Sequence, residues 1–222
     1  MNRLPSSELP QWAQALWVGY VDLDAGGEDE SALDDAERAR AQRFAFDELR
    51  RRFRQSHAFL RRALGEVLGV APATLRFTTG EAGRPYLTGG GPDFNLSHSG
   101  RWAAVAISPR GRVGIDVEVV RPLSDLWGVA RSVFTAAECE VLAPLAEPER
   151  VAPFFRGWTR KEALLKASGL GITHHLMETE VTLGGAAEVL RVPEVMRRST
   201  WRLAALPRPD GTEAALALET SG

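Results

Sequence analysis

Asp116 and Glu118, one residue apart in Gly114-Ile115-Asp116-Val117-Glu118, are the first residues in this sequence whose types and spacing could do chemistry. Side chains on a strand repeat every two residues, so both acids leave one face while Ile115 and Val117 pack into the core on the other. Two carboxylates on one side repel each other unless solvent or a cation neutralises them. Hard oxygen ligands of this kind suit Mg2+ or Mn2+, although the same pattern describes the wet face of an amphipathic strand.

A second constellation lies in Phe154-Phe155-Arg156-Gly157-Trp158-Thr159-Arg160-Lys161-Glu162-Ala163-Leu164-Leu165-Lys166, whose apolar period is helical. Trp158, Glu162 and Lys166 recur at i, i+4 and i+8, which puts Glu162 and Lys166 on neighbouring turns of one face. On an exposed helix such an ion pair contributes only ~0.3–0.5 kcal/mol. Against that simple reading, the helix is rich in apolar residues and holds Lys161 and Lys166, the only lysines of a chain that otherwise uses Arg. The compact lysine ammonium suits phosphate oxygens, whereas the planar fork of Arg requires a fixed geometry. A third constellation is Phe94-Asn95-Leu96-Ser97-His98-Ser99-Gly100. There a strand enters a turn with hydroxyls and an imidazole that could hold a phosphate oxygen or simply build the turn. A serine-hydrolase elbow is excluded, because G-x-S-x-G is absent and adjacent Ser97 and His98 project to opposite strand faces.

The elements that must position these groups follow from pattern. A strand is expected at Ala15–Val21 and two helices after it, one capped by Asp34 or Asp35 and running to about Phe46, the other over Arg50–Leu68. Short strands are expected at Leu75–Thr79, Phe94–Ser97 and Trp102–Ile107, and Pro109-Arg110-Gly111-Arg112 marks a joint. Beyond it come a strand at Val113–Val119 and helices at Leu126–Phe134, Ala136–Leu145 and Val151–Ala167. The chain then closes with strands near Glu180–Leu183, Val189–Val192, Trp201–Leu206 and Ala214–Leu218. Each half thus reads as a strand, then helices, then strands. The expected fold is α+β, with two similar halves, residues 1–109 and 110–222, and the active site in the cleft between them.

Composition bounds the reading. The chain has 222 residues, 44% apolar and 25% charged, with formal net charge −2, the profile of an ordinary globular protein that is neither disordered nor fibrous. The single Cys139 excludes an internal disulfide, Met1–Trp12 lacks the apolar run of a signal peptide, and no run approaches a membrane span. A reduced cytoplasmic protein, away from any membrane, is expected. The small net charge hides segregation: Asp22–Asp35 holds seven acids and no base, whereas Glu37–Arg62 holds nine arginines. The arginines motivate a rival reading as a nucleic-acid binder, which predicts a continuous basic face, but no recognised reader motif accompanies them. His57, His98, His174 and His175 motivate a histidine-metal hydrolase, yet no ligand spacing such as HExxH occurs.

In the order Phe94–Gly100, Val113–Glu118, Trp158–Lys166, the three constellations resemble the Sfp-type 4′-phosphopantetheinyl transferase family, with weaker likeness through the Arg-rich helices, Gly83-Arg84-Pro85 and Val133–Glu138. The resemblance implies a pseudo-twofold monomer that moves the 4′-phosphopantetheine arm of coenzyme A to a serine of an apo acyl or peptidyl carrier protein. Adenosine 3′,5′-bisphosphate would be released. It implies Mg2+, with Mn2+ as a substitute, held by Asp116, Glu118 and Glu162. Lys166 would neutralise a phosphate oxygen, with Glu162 or a metal-bound water accepting the serine proton. It places Ser97 and His98 at the 3′-phosphate of coenzyme A, and Arg40, Arg52, Arg84 and Lys161 among the nucleotide and phosphate contacts. The segment Leu123–Phe134 resembles the family's carrier-docking region. Nucleic acid and membrane are not among the implied partners. The chain departs from the family at Glu37, where a cation is usual, at Phe53, where a hydroxyl is usual, and at Ser168–Ile172, which keeps glycines but no lysine.

Overall fold

A computed structural model describes residues 2–26, 30–80, 83–171 and 175–220, and the chain divides into two compact units, Met1–Pro109 and Arg110–Gly222. The first unit begins with strands β1 (Asn2–Arg3) and β2 (Trp17–Asp22) and continues through helices α1 (Asp35–Ala41) and α2 (Asp47–Leu68). It returns through β3 (Phe77–Thr79), β4 (Pro85–Leu87), β5 (Asp93–Ser99) and β6 (Trp102–Ser108). An antiparallel sheet runs in the order β1-β2-β6-β5, and β3 and β4 pair as a separate hairpin. Helix α2 lies on this sheet and buries Phe59, Leu60 and Leu64 against Trp17, Phe94, Val105 and Ile107.

Helix α1 stops at Ala41 rather than continuing to Phe46. The chain turns there, Phe46 is extended and mostly exposed, and α2 begins at once with Asp47 and Glu48 in its first turn, where the helix dipole favours acids. Arg50 holds the junction, donating to Asp47 and to the Phe44 carbonyl at 3.0 Å. Asp34 is the N-cap of α1. Its carboxylate accepts from Glu37 N at 2.9 Å, and Glu37 accepts in return from Asp34 N at 3.2 Å.

The second unit consists of β7 (Val113–Val119), helices α3 (Leu126–Val133), α4 (Ala136–Leu142) and α5 (Glu147–Ser168), then β8 (Glu180–Val181), β9 (Val189–Arg191), β10 (Thr200–Ala205) and β11 (Thr212–Thr220). Its main sheet is antiparallel in the order β10-β11-β7, and β8 pairs with β9. Helix α5 starts a turn earlier than Val151, because the Glu149 carboxylate accepts from Ala146 N at 3.1 Å and caps the added turn. The units share a connectivity: the first long strand pairs with the last, and the last with the one before it, as β2-β6-β5 and as β7-β11-β10. Each also carries one 22-residue helix ended by a left-handed glycine, Gly69 at φ 67° and Gly169 at φ 75°. Among the described residues, no helix is long and apolar enough to cross a membrane.

Gly114 sets how closely α5 lies on β7. A Cβ built there would stand 2.0 Å from Ala163 O and 2.6 Å from Ala167 N, so only a residue without a side chain admits the helix. Ala163 and Ala167, both fully buried, complete a small-residue seam that brings the next residues of the strand and helix faces together. Gly114→Ala should cost ~1–3 kcal/mol through overpacking. Urea unfolding would measure it; an unchanged midpoint would mean the helix can retreat freely.

Candidate active site

Asp116 and Glu118 share the strand face on which Gly114 meets α5, and α5 brings Glu162 and Lys166 to the same place. Lys166 Nζ lies 2.5 Å from Asp116 Oδ1 and 3.1 Å from Glu162 Oε2. Asp116 is 1% and Glu162 8% exposed, so this is no wet surface pair. Burial, together with the charge of Asp116, pushes the Glu162 carboxyl up to about 7; Lys166 opposes the rise and Glu118 adds to it. Burial would lower the Lys166 ammonium, but Asp116 and Glu162 hold it above its ordinary value.

The oxygen chemistry of Asp116, Glu118 and Glu162 suits a hard divalent cation, and the two carboxylates of Asp116 and Glu162 at one ammonium carry more acidic groups than that ammonium can neutralise. A ready-made cage is a different matter. Among the described residues, no three acidic, His or Cys side chains are gathered to hold a metal ion, and the charge between Asp116 and Glu162 is the Lys166 ammonium. Sequence pattern missed Glu213, which faces Glu118 across the β11-β7 pairing and is buried, with Arg156 at 3.2 Å and Arg208 at 3.1 Å. The alternation of β11 puts it on the site's face, but its pairing partner is not legible from one strand.

Lys161 corrects an expectation. Its side chain is fully buried in the core of the second unit, not directed to a ligand: Nζ pairs with Glu138 at 2.5 Å and donates to Val133 O at 2.8 Å and Leu176 O at 2.9 Å. Burial lowers the ammonium, and Glu138 opposes the shift. Glu138 accepts from Thr135 N at 2.8 Å and Val181 N at 2.9 Å, so this pair ties α4 and β8 to α5. Five positions on a helix turn a side chain by about 140° relative to the first, which already separates Lys161 from the face of Lys166.

The first unit contains a cavity of about 890 Å3 whose lining includes Arg40, His57, Arg76, Asn95 and His98. Of the residues that the resemblance places among the nucleotide and phosphate contacts, Arg40 and His98 are on this lining, whereas Arg52, Arg84 and Ser97 are not. Arg52 pairs with Asp24 at 2.9 Å and Glu48 at 2.6 Å. Arg84 is buried on Asp93 at 2.6 Å and donates to Phe94 O at 3.1 Å. Ser97 is buried in β5 beside His98. Phe53, where the family has a hydroxyl, stacks with His57 at 3.9 Å between ring centroids and carries the Arg40 guanidinium 5.2 Å from its own. Glu37, where the family has a cation, binds the fully buried Arg61 together with Asp34. Several arginines of α2 likewise meet acids, Arg51 and Arg52 at Asp24, Arg54 at Glu30 and Arg50 at Asp47. His175 pairs with Glu178 at 3.1 Å, while His174 and Ile172 lie outside the described residues, as do Glu28 and Asp29 of the acidic run.

Burial pushes the His57 imidazole down to about 4, and the Arg40 and Arg61 guanidinium groups push the same way, while its contact with Phe53 O resists. A proton taken up by the unfolded chain near its ordinary 6.5 is refused by the fold until about 4, so stability falls as pH drops through that window. Between pH 7 and 4.5 the wild type should lose ~2–3 kcal/mol more than His57→Gln. Urea unfolding at the two pH values checks this, and parallel losses would remove His57 from the account.

Residues 29–110 match the description "4′-phosphopantetheinyl transferase, N-terminal", and residues 112–212 match the 4′-phosphopantetheinyl transferase superfamily. The chain is 38% identical over 196 residues to the 4′-phosphopantetheinyl transferase HetI of Nostoc sp., covering 86% of this chain and 81% of that protein. To a 4′-phosphopantetheinyl transferase of Bacillus subtilis it is 31% identical over 170 residues, 74% of each chain. A solved holo-(acyl-carrier-protein) synthase from Bacillus anthracis is similar at 19% identity and TM-score 0.42, over 50% of this chain and 96% of that one. Similarity to HetI spanning most of both proteins, with matches to both parts of the family description, establishes that this chain belongs to the 4′-phosphopantetheinyl transferase family of enzymes.

Proposed function

We propose that the chain transfers the 4′-phosphopantetheine arm of coenzyme A to a serine hydroxyl of an apo acyl or peptidyl carrier protein and releases adenosine 3′,5′-bisphosphate. The observation that carries this reading is the convergence of Asp116, Glu162 and Lys166 from β7 and α5 in a buried site. The carrier's serine oxygen would bond to the phosphorus next to the pantetheine arm while the bond to the bridging oxygen breaks, and the nucleotide leaves with that electron pair. Lys166 would neutralise charge gathering on the pyrophosphate, and a Glu162 oxygen would receive the serine proton. A magnesium ion held by Asp116, Glu118 and Glu162 would, when bound, neutralise further charge on the pyrophosphate. The donor chemistry and the excess of carboxylates support that ligand set.

The cavity of the first unit, with Arg40 and His98 on its wall, is assigned to the nucleotide of coenzyme A. Its size is within the ~300–1,000 Å3 usual for small-molecule sites. Carrier docking is assigned to the outer side of α3 and α4. The inner face of α3 is core, through Leu126, Ala130 and Val133, while its other side offers Trp127 between Arg131 and Arg150, with Val129 and Val141 exposed. Apolar contact ringed by guanidinium groups suits an acidic carrier helix.

Incubation with coenzyme A, Mg2+ and a panel of apo-carriers should give a carrier whose mass has grown by the arm; no gain with any carrier would defeat the reading. Asp116→Asn and Glu162→Gln should each lower kcat/KM by ~100-fold or more while circular dichroism stays native. Lys166→Met should lower it similarly, and unchanged kinetics would reduce Lys166 to a structural ion pair. Chelation should abolish transfer and added Mg2+ restore it; transfer that persists in chelator would remove the metal from the scheme.

A further inference from the structure

We propose that Glu213, on strand β11, is a positioning residue for Glu118: by holding two guanidinium groups on one of its own oxygens, it sets how much positive charge Glu118 meets and so how tightly the acids of β7 and α5 take a divalent cation. The inference rests on the assignment of Asp116, Glu118 and Glu162 to a metal ion and adds a carboxylate that acts on that site without binding the ion.

Two observations put Glu213 beside Glu118. The two residues are directly opposite in the β11-β7 register, and such cross-strand partners share a face with their Cβ atoms ~4.5–5.5 Å apart. Arg156 of α5 reaches Glu213, so that face is the one on which Gly114 meets the helix. Like charges set opposite each other are destabilising. At Glu213, 3% exposed, the opposing charge comes from Arg156 Nη2 at 3.2 Å and Arg208 Nη2 at 3.1 Å, and both reach the same atom, Oε1. Each guanidinium is also fixed by backbone: Arg156 Nη1 donates to Leu183 O at 3.2 Å and Arg208 Nε to Thr212 O at 2.5 Å.

The surrounding charge makes Glu213 more than a local partner. Four residues beyond Arg156 on α5, the buried Arg160 donates to the carbonyls of Thr182 at 2.6 Å, Gly184 at 3.3 Å and Gly185 at 3.1 Å. Burial lowers its guanidinium to about 10; Arg156 adds to the fall and Glu213 opposes it. Glu213 therefore meets Arg156 and Arg208 by contact and Arg160 through its field. Opposite it lies Glu118, whose own charge is felt at Glu162. With Glu213 made neutral, Glu118 becomes the carboxylate that faces Arg156 and Arg208 in this register, and a guanidinium drawn onto it would compete with a metal ion for its oxygens. A ligand role for Glu213 itself would require it to give up both arginines at Oε1, so its effect runs through Glu118.

The test titrates Mn2+, followed as the free ion by electron paramagnetic resonance, into wild type and variants with coenzyme A present and coenzyme A alone as the blank. Glu213→Gln should weaken Mn2+ binding ~10–100-fold, the usual effect of disturbing a group that orients a metal ligand. In transfer to an apo-carrier, the loss should fall mainly on the Mg2+ concentration that gives half the maximal rate. The triple variant Arg156→Gln/Arg208→Gln/Glu213→Gln should regain most of the Mn2+ affinity, because no released guanidinium is left to claim Glu118. Unchanged binding in Glu213→Gln would overturn the inference, and so would a triple variant no better than the single one, which would mark Glu213 as a ligand or a packing group. If Glu213→Gln does not fold, Arg208→Gln decides in its place: losing one cation should tighten Mn2+ binding, and equal or weaker binding overturns the proposal. A wild type that takes up no Mn2+ above the blank overturns it together with the metal assignment. A wild type that binds Mn2+ but labels no carrier fails the functional reading alone, and the variants still decide the role of Glu213.

Discussion

Lys166 holds its charge between Asp116 and Glu162 where neither carboxylate has enough water around it to be stable alone. Removing one partner from such a group leaves an uncompensated buried charge, so the three side chains constrain one another more tightly than a surface pair would. Their meeting depends on an absence, the missing side chain of Gly114, which lets the backbone of α5 reach β7. The strand supplies alternation and the helix supplies the four-residue repeat. Only the close seam makes the two periodicities coincide at one point.

The two lysines show how one helix can serve packing and chemistry at once. Lys161 points into the core and ties α5 to α4 and β8 through Glu138, and the next residue, Glu162, belongs to the site. The face that carries Glu162 and Lys166 therefore belongs to a helix that a buried ion pair fixes in place on another side. A loose helix could not keep Lys166 within hydrogen-bond reach of Asp116 on the neighbouring strand.

In the first unit the sequence's acidic and basic blocks pair with each other. Asp24 takes Arg51 and Arg52, Glu30 takes Arg54, and Asp34 with Glu37 takes Arg61. The departures from the family pattern belong to the same arrangement: Glu37 caps α1 and anchors Arg61, and Phe53 gives Arg40 and His57 a ring to stack on.

Hydrophobic period, glycine and proline punctuation, and the acids available for capping determined the α+β class, the strand Val113–Val119 to the residue and the body of every long helix, because these are local preferences written in consecutive side chains. The Asp116/Glu118 face and the Glu162/Lys166 face were legible for the same reason. Helix ends were less so, since the stop at Ala41 and the added turn before Val151 depend on single hydrogen bonds. The tertiary structure alone decided which charges are occupied: that Lys161, Arg52 and Arg84 are paired within the fold, that Glu213 lies beside Glu118, and that Arg76 rather than Arg84 faces the cavity. Burial and ion pairing join residues many positions apart, and a linear order of residues carries no record of which distant carboxylate will reach a given cation first.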